Sequence, residues 1–252
     1  MLNGFVDALQ FLTRIPIEVK GRRPSLGRAV PWFPVVGGVI GGLVGGAASL
    51  LWHWVPPLVA AAVAISVGLL VTGAFHEDGL GDVADAFAGG LTVERRLQIL
   101  DDPRHGTYGV CAICASIIVR VACVASLPGP AAMFAGLVAA GILGRAAAVA
   151  LTATVRPATP DGLGAHAAGA LAPRAAGVSI VVAVALAALA VGWWGGPLVL
   201  AAAVAAWVLG ALAISKIGGI GGDVLGAVEV VTECLCLVVT TGLAMHHQVW
   251  WA

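Results

Sequence analysis

The chain alternates between long apolar runs and short polar segments. Runs at 33–52, 57–75, 109–127, 130–151, 175–194, 197–215 and 224–245 are each about the 20 residues a helix needs to cross a hydrocarbon core of roughly 30 Å. The pattern predicts an all-α fold: a polytopic integral membrane helix bundle of about seven transmembrane helices. Gly37, Gly41 and Gly45 recur at four-residue spacing, which either admits a neighbouring helix closely or reflects nothing more than Ala- and Gly-rich composition. Ahead of the first run, Phe5, Val6, Leu9, Phe11 and Leu12 precede Arg14 and predict an amphipathic helix at the interface. With no internal repeat and no long linker, residues 1–252 are expected to form one membrane-embedded domain, with 1–31 as its cytoplasmic or interfacial N-terminal segment. Asp7 and Arg14 before any long apolar run do not fit a cleaved signal peptide.

Composition agrees: 60% of the residues are hydrophobic and 10% charged, far from a soluble domain. Thirteen basic and thirteen acidic residues cancel, so there is no basic surface for nucleic acid. The five cysteines fall in apolar stretches and carry no redox inference. Charge placement says more. With the N-terminus cytoplasmic, the inner segments hold Arg14, Lys20, Arg22, Arg23, Arg28, Arg95, Arg96, Arg104, Arg156, Arg174 and Lys216, and the outer turns hold no Lys or Arg. That bias predicts a multi-pass protein of the cell inner membrane. The remaining two bases, Arg120 and Arg145, lie within spans, where a charge is costly and faces a partner or a watery cavity, making both candidate site residues.

The acidic residues gather in three segments. In His76-Glu77-Asp78-Gly79-Leu80-Gly81-Asp82-Val83-Ala84-Asp85, the aspartates stand at i, i+4 and i+7 and share one helical face. From His76 to Tyr108 seven acids face only Arg95, Arg96 and Arg104. A hard divalent cation, Mg²⁺ first and Mn²⁺ next, is the simplest neutraliser, against the blander alternative of a solvated acidic helix. The second segment, Asp101-Asp102-Pro103-Arg104-His105-Gly106-Thr107-Tyr108-Gly109, mixes acid, guanidinium and hydroxyl groups suited to a phosphate beside a metal. Tyr108 reads as an interfacial anchor. The third, Gly218-Gly219-Ile220-Gly221-Gly222-Asp223, opens a span containing Glu229 and Glu233, with Lys216 upstream; its backbone N–H groups suit an anion. The six histidines lack a zinc-helix spacing, so zinc is not expected. Together these segments point to a metal-held diphosphate broken by in-line attack.

The same segments, with Phe11-Leu12-Thr13-Arg14-Ile15-Pro16, Phe33-Pro34-Val35-Val36-Gly37 and Gly144-Arg145, resemble the cobalamin synthase family, the adenosylcobinamide-GDP ribazoletransferases, over nearly the whole chain and in the family's order. The resemblance implies a Mg²⁺-dependent membrane transferase. It would join adenosylcobinamide-GDP to α-ribazole or α-ribazole phosphate and release GMP. It implies metal ligation by Glu77, Asp78, Asp82 and Asp85, and catalytic roles for Glu77, Asp82 and Arg104. Substrate binding would fall to Arg14, Arg104, Arg145, Gly219, Gly222, Asp223 and Glu229. Ala86 and Gly221 depart from the family's usual Gly and Thr, and the second removes a hydroxyl from phosphate contact. Membrane lipid is an expected partner, and a homo-oligomer is left open. Two rivals are a CDP-alcohol phosphatidyltransferase-like enzyme, whose Asp-Gly-x-x-Ala-Arg signature is not found, and a cation-coupled transporter using Arg120, Arg145, Glu229 and Glu233.

Overall fold

The computed structural model describes residues 2–17 and 24–251; Lys20, Arg22 and Arg23, counted above among the inner bases, lie outside them. The described residues fold as helices: α1 (Leu2–Leu12), α2 (Leu26–Ala29), α3 (Phe33–Leu51), α4 (Pro57–Thr72), α5 (Phe75–Gly89), α6 (Val93–Leu100), α7 (Thr107–Ala125), α8 (Pro130–Thr154), α9 (Leu163–Ala170), α10 (Pro173–Val191), α11 (Gly195–Ile217) and α12 (Gly222–Ala244). Proline opens α4, α8 and α10, where its missing N–H costs nothing. The innermost helix is α8, which packs on α3, α10, α11 and α12 and carries Arg145 at its middle.

The four-residue glycine stripe is a packing device. A Cβ at Gly41 would stand 2.9 Å from Val138 Cα and one at Gly45 2.9 Å from Phe134 Cα, so only glycine lets α3 and α8 meet backbone to backbone. Gly42 and Gly46, one residue on, face open space.

Five helical stretches are long and apolar enough to cross a membrane, or six if α4 and α5 count as one bent span. Two predicted runs, 175–194 and 197–215, fall in the single stretch Pro173–Ile217, which is interrupted at Gly192–Trp194 with Gly192 at φ +64°. A Cβ at Gly195 would lie 3.3 Å from Ala188 Cα. In a straight helix residues seven apart are separated by about 10 Å of rise, so the chain doubles back here. The run predicted at 57–75 needs correction. Helix α4 stops at Thr72, Gly73 and Ala74 take left-handed backbone at φ +68° and +54°, and α5 leaves at 89°. The acidic helix therefore lies across the end of the bundle.

The N-terminal helix forms as expected but is docked onto the bundle. Asp7 is buried and paired with Arg28 at 3.0 Å, and Phe11 stacks on Phe33 with ring centroids 5.5 Å apart.

Candidate active site

Three elements meet at one end of the bundle. Glu77 and Asp78 occupy the first turn of α5, where the helix dipole favours acids. Gly79 lies so close to α12 that a Cβ would stand 2.8 Å from the Asp223 carbonyl oxygen, which brings Asp78 and Asp82 beside Asp223. The loop before α7 closes over this edge, with His105 Nε2 3.2 Å from Asp78 and Nδ1 3.3 Å from Asp82. Burial pushes the Asp82 carboxyl up to about 6, helped by the charges of Asp223 and Asp78. No ion-pair partner meets Asp223 among the described residues.

The remaining acids of α5 have other partners. Asp85 accepts N–H bonds from Gly106 (2.6 Å) and Gly109 (2.9 Å), capping the start of α7 from a neighbouring helix. Glu77 points inward, where Arg120 donates to it at 2.7 Å. That contact opens a buried chain of charge: Arg120 also reaches Glu233 at 3.2 Å, Arg145 pairs with both Glu233 and Glu229, and His76 Nδ1 lies 3.5 Å from Glu229. Three carboxylates thus meet two guanidiniums in the interior. Glu77 Oε2 and Arg145 Nε remain without a hydrogen-bond partner.

Two clefts flank the aspartates. One, of about 620 Å³, is lined by Arg14, Phe75, Glu77, Asp78 and His105. The other, of about 780 Å³, is lined by Asp101, Asp161, Gly221, Gly222 and Asp223 with apolar walls from Phe75, Leu97 and Leu163.

The cobalamin-5-phosphate synthase family matches residues 4–241. The chain belongs to this family. An adenosylcobinamide-GDP ribazoletransferase of Bradyrhizobium diazoefficiens is 39% identical over 94% of this chain and 93% of its own. Proteins of the same name from Azorhizobium caulinodans and Pseudomonas savastanoi are 38% and 37% identical over at least 95% of both chains. No solved structure matches the chain.

Against the cobalamin-5-phosphate synthase motifs, the structure brings Arg14, Asp78, Asp82, Gly222 and Asp223 to one edge. Arg145 and Glu229 lie deeper, in the charged interior. Glu77 and Asp85, expected on the metal, instead serve Arg120 and the start of α7. Arg104 sits in the loop over the site, exposed and held twice by Asp102, whose own carboxyl it draws down to about 2. Gly219 is not open to a ligand: a Cβ there would lie 2.8 Å from Ala158 N, because the Pro157–Ile220 bridge lies over it. Lys216 turns to the carbonyl of Phe87, near the end of α5. Sequence reasoning passed over His105 and His76 because it tested histidines only for zinc spacing. The signal available was the position of His105 inside an acidic loop motif.

Among the described residues no three His, Cys, Asp or Glu side chains form a metal shell as they stand. The donor chemistry nonetheless suits a hard cation. Asp78, Asp82 and Asp223 are oxygen donors that repel one another with the His105 ring set between Asp78 and Asp82, and burial together with the neighbouring charges raises the Asp82 carboxyl.

Proposed function

We propose that the chain joins adenosylcobinamide-GDP to α-ribazole or α-ribazole phosphate, releasing GMP and giving adenosylcobalamin or its phosphate. Membership of the cobalamin-5-phosphate synthase family from one end of the chain to the other, with relatives named for this transfer, supports the reaction. The observation that carries the site is the meeting of Asp78, Asp82 and Asp223, from distant parts of the sequence, at a cleft edge with little counter-charge.

Asp78, Asp82 and Asp223 would hold Mg²⁺, which when bound neutralises phosphate oxygens and the charge developing on the leaving group. Arg14, in the cleft lined by Asp78 and His105, lies where it can grip the diphosphate, and the N-terminus of α12 borders the neighbouring cleft with N–H groups suited to the same anion. The ribazole hydroxyl oxygen forms a bond to the phosphorus that carries cobinamide, and the bond from that phosphorus to GMP breaks. GMP leaves with the bridging oxygen. Asp82, at the carboxylate edge, takes the hydroxyl proton on the oxygen that does not face the cation. His105, between Asp78 and Asp82, orients the pair.

Orientation belongs to the same proposal: one domain in the cell inner membrane, the carboxylate edge in the cytoplasm. Seven crossings follow if Pro173–Ile217 counts as two spans and α4, with α5 turned aside at its end, as one. Support comes from the basic residues beside the carboxylate edge and from the tryptophans at the far end, where Trp52, Trp54, Trp193 and Trp250 cap α3, α10 and the tail after α12.

The test is GMP release by detergent-solubilised protein given both substrates, with and without Mg²⁺. Metal-dependent GMP and a new corrinoid product, both lost in Asp82→Ala, are expected. Absence of GMP with any divalent metal from folded protein would sink the reading.

A further inference from the structure

The motifs that the carboxylate edge leaves unused converge elsewhere. Phe11, Phe33, Arg145 and Gly226, spread over more than two hundred residues, line a single narrow cavity between α1, α3, α5, α8, α9 and α12. Its walls are apolar and aromatic: Phe11 stacks on Phe33, and Phe75 meets Phe11 edge to face at 5.5 Å. Its floor is polar, with His76, Arg145, Thr152 and Glu229. Arg145 and Glu229 are each 2% exposed and pair with one another, and Arg145 keeps its Nε without a hydrogen-bond partner. A cavity apolar along its sides and hydrogen-bonding at its end is built for a flat, uncharged heterocycle. A long acyl chain would leave the floor unsatisfied, and a phosphate would meet aromatic walls.

The mouth of the cavity fixes which substrate group enters. Phe75, Leu163 and Gly222 line both this cavity and the cleft of Asp223. A ligand seated with its ring on the floor therefore presents whatever is attached to that ring at the carboxylate edge. We infer that this cavity is the subsite for the acceptor's aromatic base, the benzimidazole of ribazole. Its ring lies among Phe11, Phe33 and Phe75, its ring nitrogen faces the His76–Glu229–Arg145 floor, and its ribose hydroxyl emerges beside Gly222. This rests on the transferase reading above and deepens it: the acceptor site is inside the bundle, the donor site in the outer clefts.

Ala148 and Ala167, both buried and both on the cavity wall, supply the test, since neither touches the charged network. In Ala148→Val and Ala167→Val, melting temperature and GMP release are measured with ribazole and with its analogue lacking the two ring methyls, and ribazole binding without donor is followed by equilibrium dialysis. The expected result is a shift of about tenfold in kcat/KM toward the smaller base, with weaker ribazole binding and an unchanged KM for adenosylcobinamide-GDP. Unchanged base preference in folded, active variants would overturn the subsite, as would a rise confined to the donor KM. If wild-type protein binds ribazole but releases no GMP, the reaction fails and the subsite stands; if it releases GMP but the variants keep their base preference, the subsite alone fails. Should both valine variants lose their fold, Ala148→Gly, which widens the same wall, is expected to favour a larger alkylbenzimidazole riboside.

Discussion

Asp82 carries opposed demands. Its carboxyl is raised to about 6 because burial and the neighbouring Asp223 and Asp78 disfavour its charge, so ionising it costs the fold stability. In the unfolded chain the group ionises near 3.9, so metal-free protein gains stability as pH falls through about 6 toward 4. Asp82→Asn is expected to abolish GMP release while raising the metal-free melting temperature by about 2 °C, a comparison that thermal scans with and without Mg²⁺ would check. Protons also compete with the cation for this oxygen. Mg²⁺ titrations should show affinity falling as pH is lowered through about 6, and an affinity flat from pH about 5 to 8 would remove Asp82 from the ligand set. The buried pairs make a different prediction. Arg120→Leu strands Glu77 and Glu233 and should cost about 3 kcal/mol or more, seen as a large fall in melting temperature. Adding Glu233→Gln should recover part of that loss. Which acids gather at the open edge was only partly legible from spacing: i, i+4, i+7 placed Asp78, Asp82 and Asp85 on one face. Spacing carries no information about the Gly106 and Gly109 N–H groups, which come from another helix and take both oxygens of Asp85.

At the scale of elements, the apolar runs announced nearly every long helix, because a span must satisfy its own backbone and so declares itself by length. The ends were harder. Hydropathy continues smoothly through Thr72-Gly73-Ala74-Phe75, and only the two left-handed residues mark the elbow. A left-handed alanine is strained by roughly 1 kcal/mol. Ala74→Gly is therefore expected to leave the fold intact with unchanged or slightly higher stability. Any side chain at Gly73 should disrupt the site, because its Cβ would also crowd Arg14, 2.9 Å away at Cγ. The α3–α8 seam offers an internal control. Gly41→Leu wedges two backbones apart and should cost about 3 kcal/mol or prevent folding, whereas Gly42→Leu, one residue round the helix, should be tolerated; matched melting curves would tell. Equal tolerance would return the stripe to mere composition.

Across the whole molecule, the polar chemistry is concentrated at one end and most of the tryptophans at the other, Trp32 and Trp207 excepted, as suits a protein held at a fixed depth. A cysteine placed at Arg104 should react with membrane-impermeant maleimide only in inside-out vesicles, and one placed at Trp54 only in intact right-side-out cells. The reverse pattern would invert the topology. The global bundle was readable from composition, but the assembly of its interior was not. Arg120, Arg145, Glu77, Glu229 and Glu233 come from α5, α7, α8 and α12, and only the packing of those helices joins them. The right-angled elbow after Thr72 bears on traffic. In the proposed orientation it lays the acidic helix flat along the membrane face, so that a bulky water-loving donor would dock, react and depart while staying in the aqueous phase, with the bilayer as an anchorage confining the catalyst to a plane. Catalysis should then survive transfer from native lipid into nanodiscs of differing acyl length, with turnover governed by diffusion in water and indifferent to partitioning into fat.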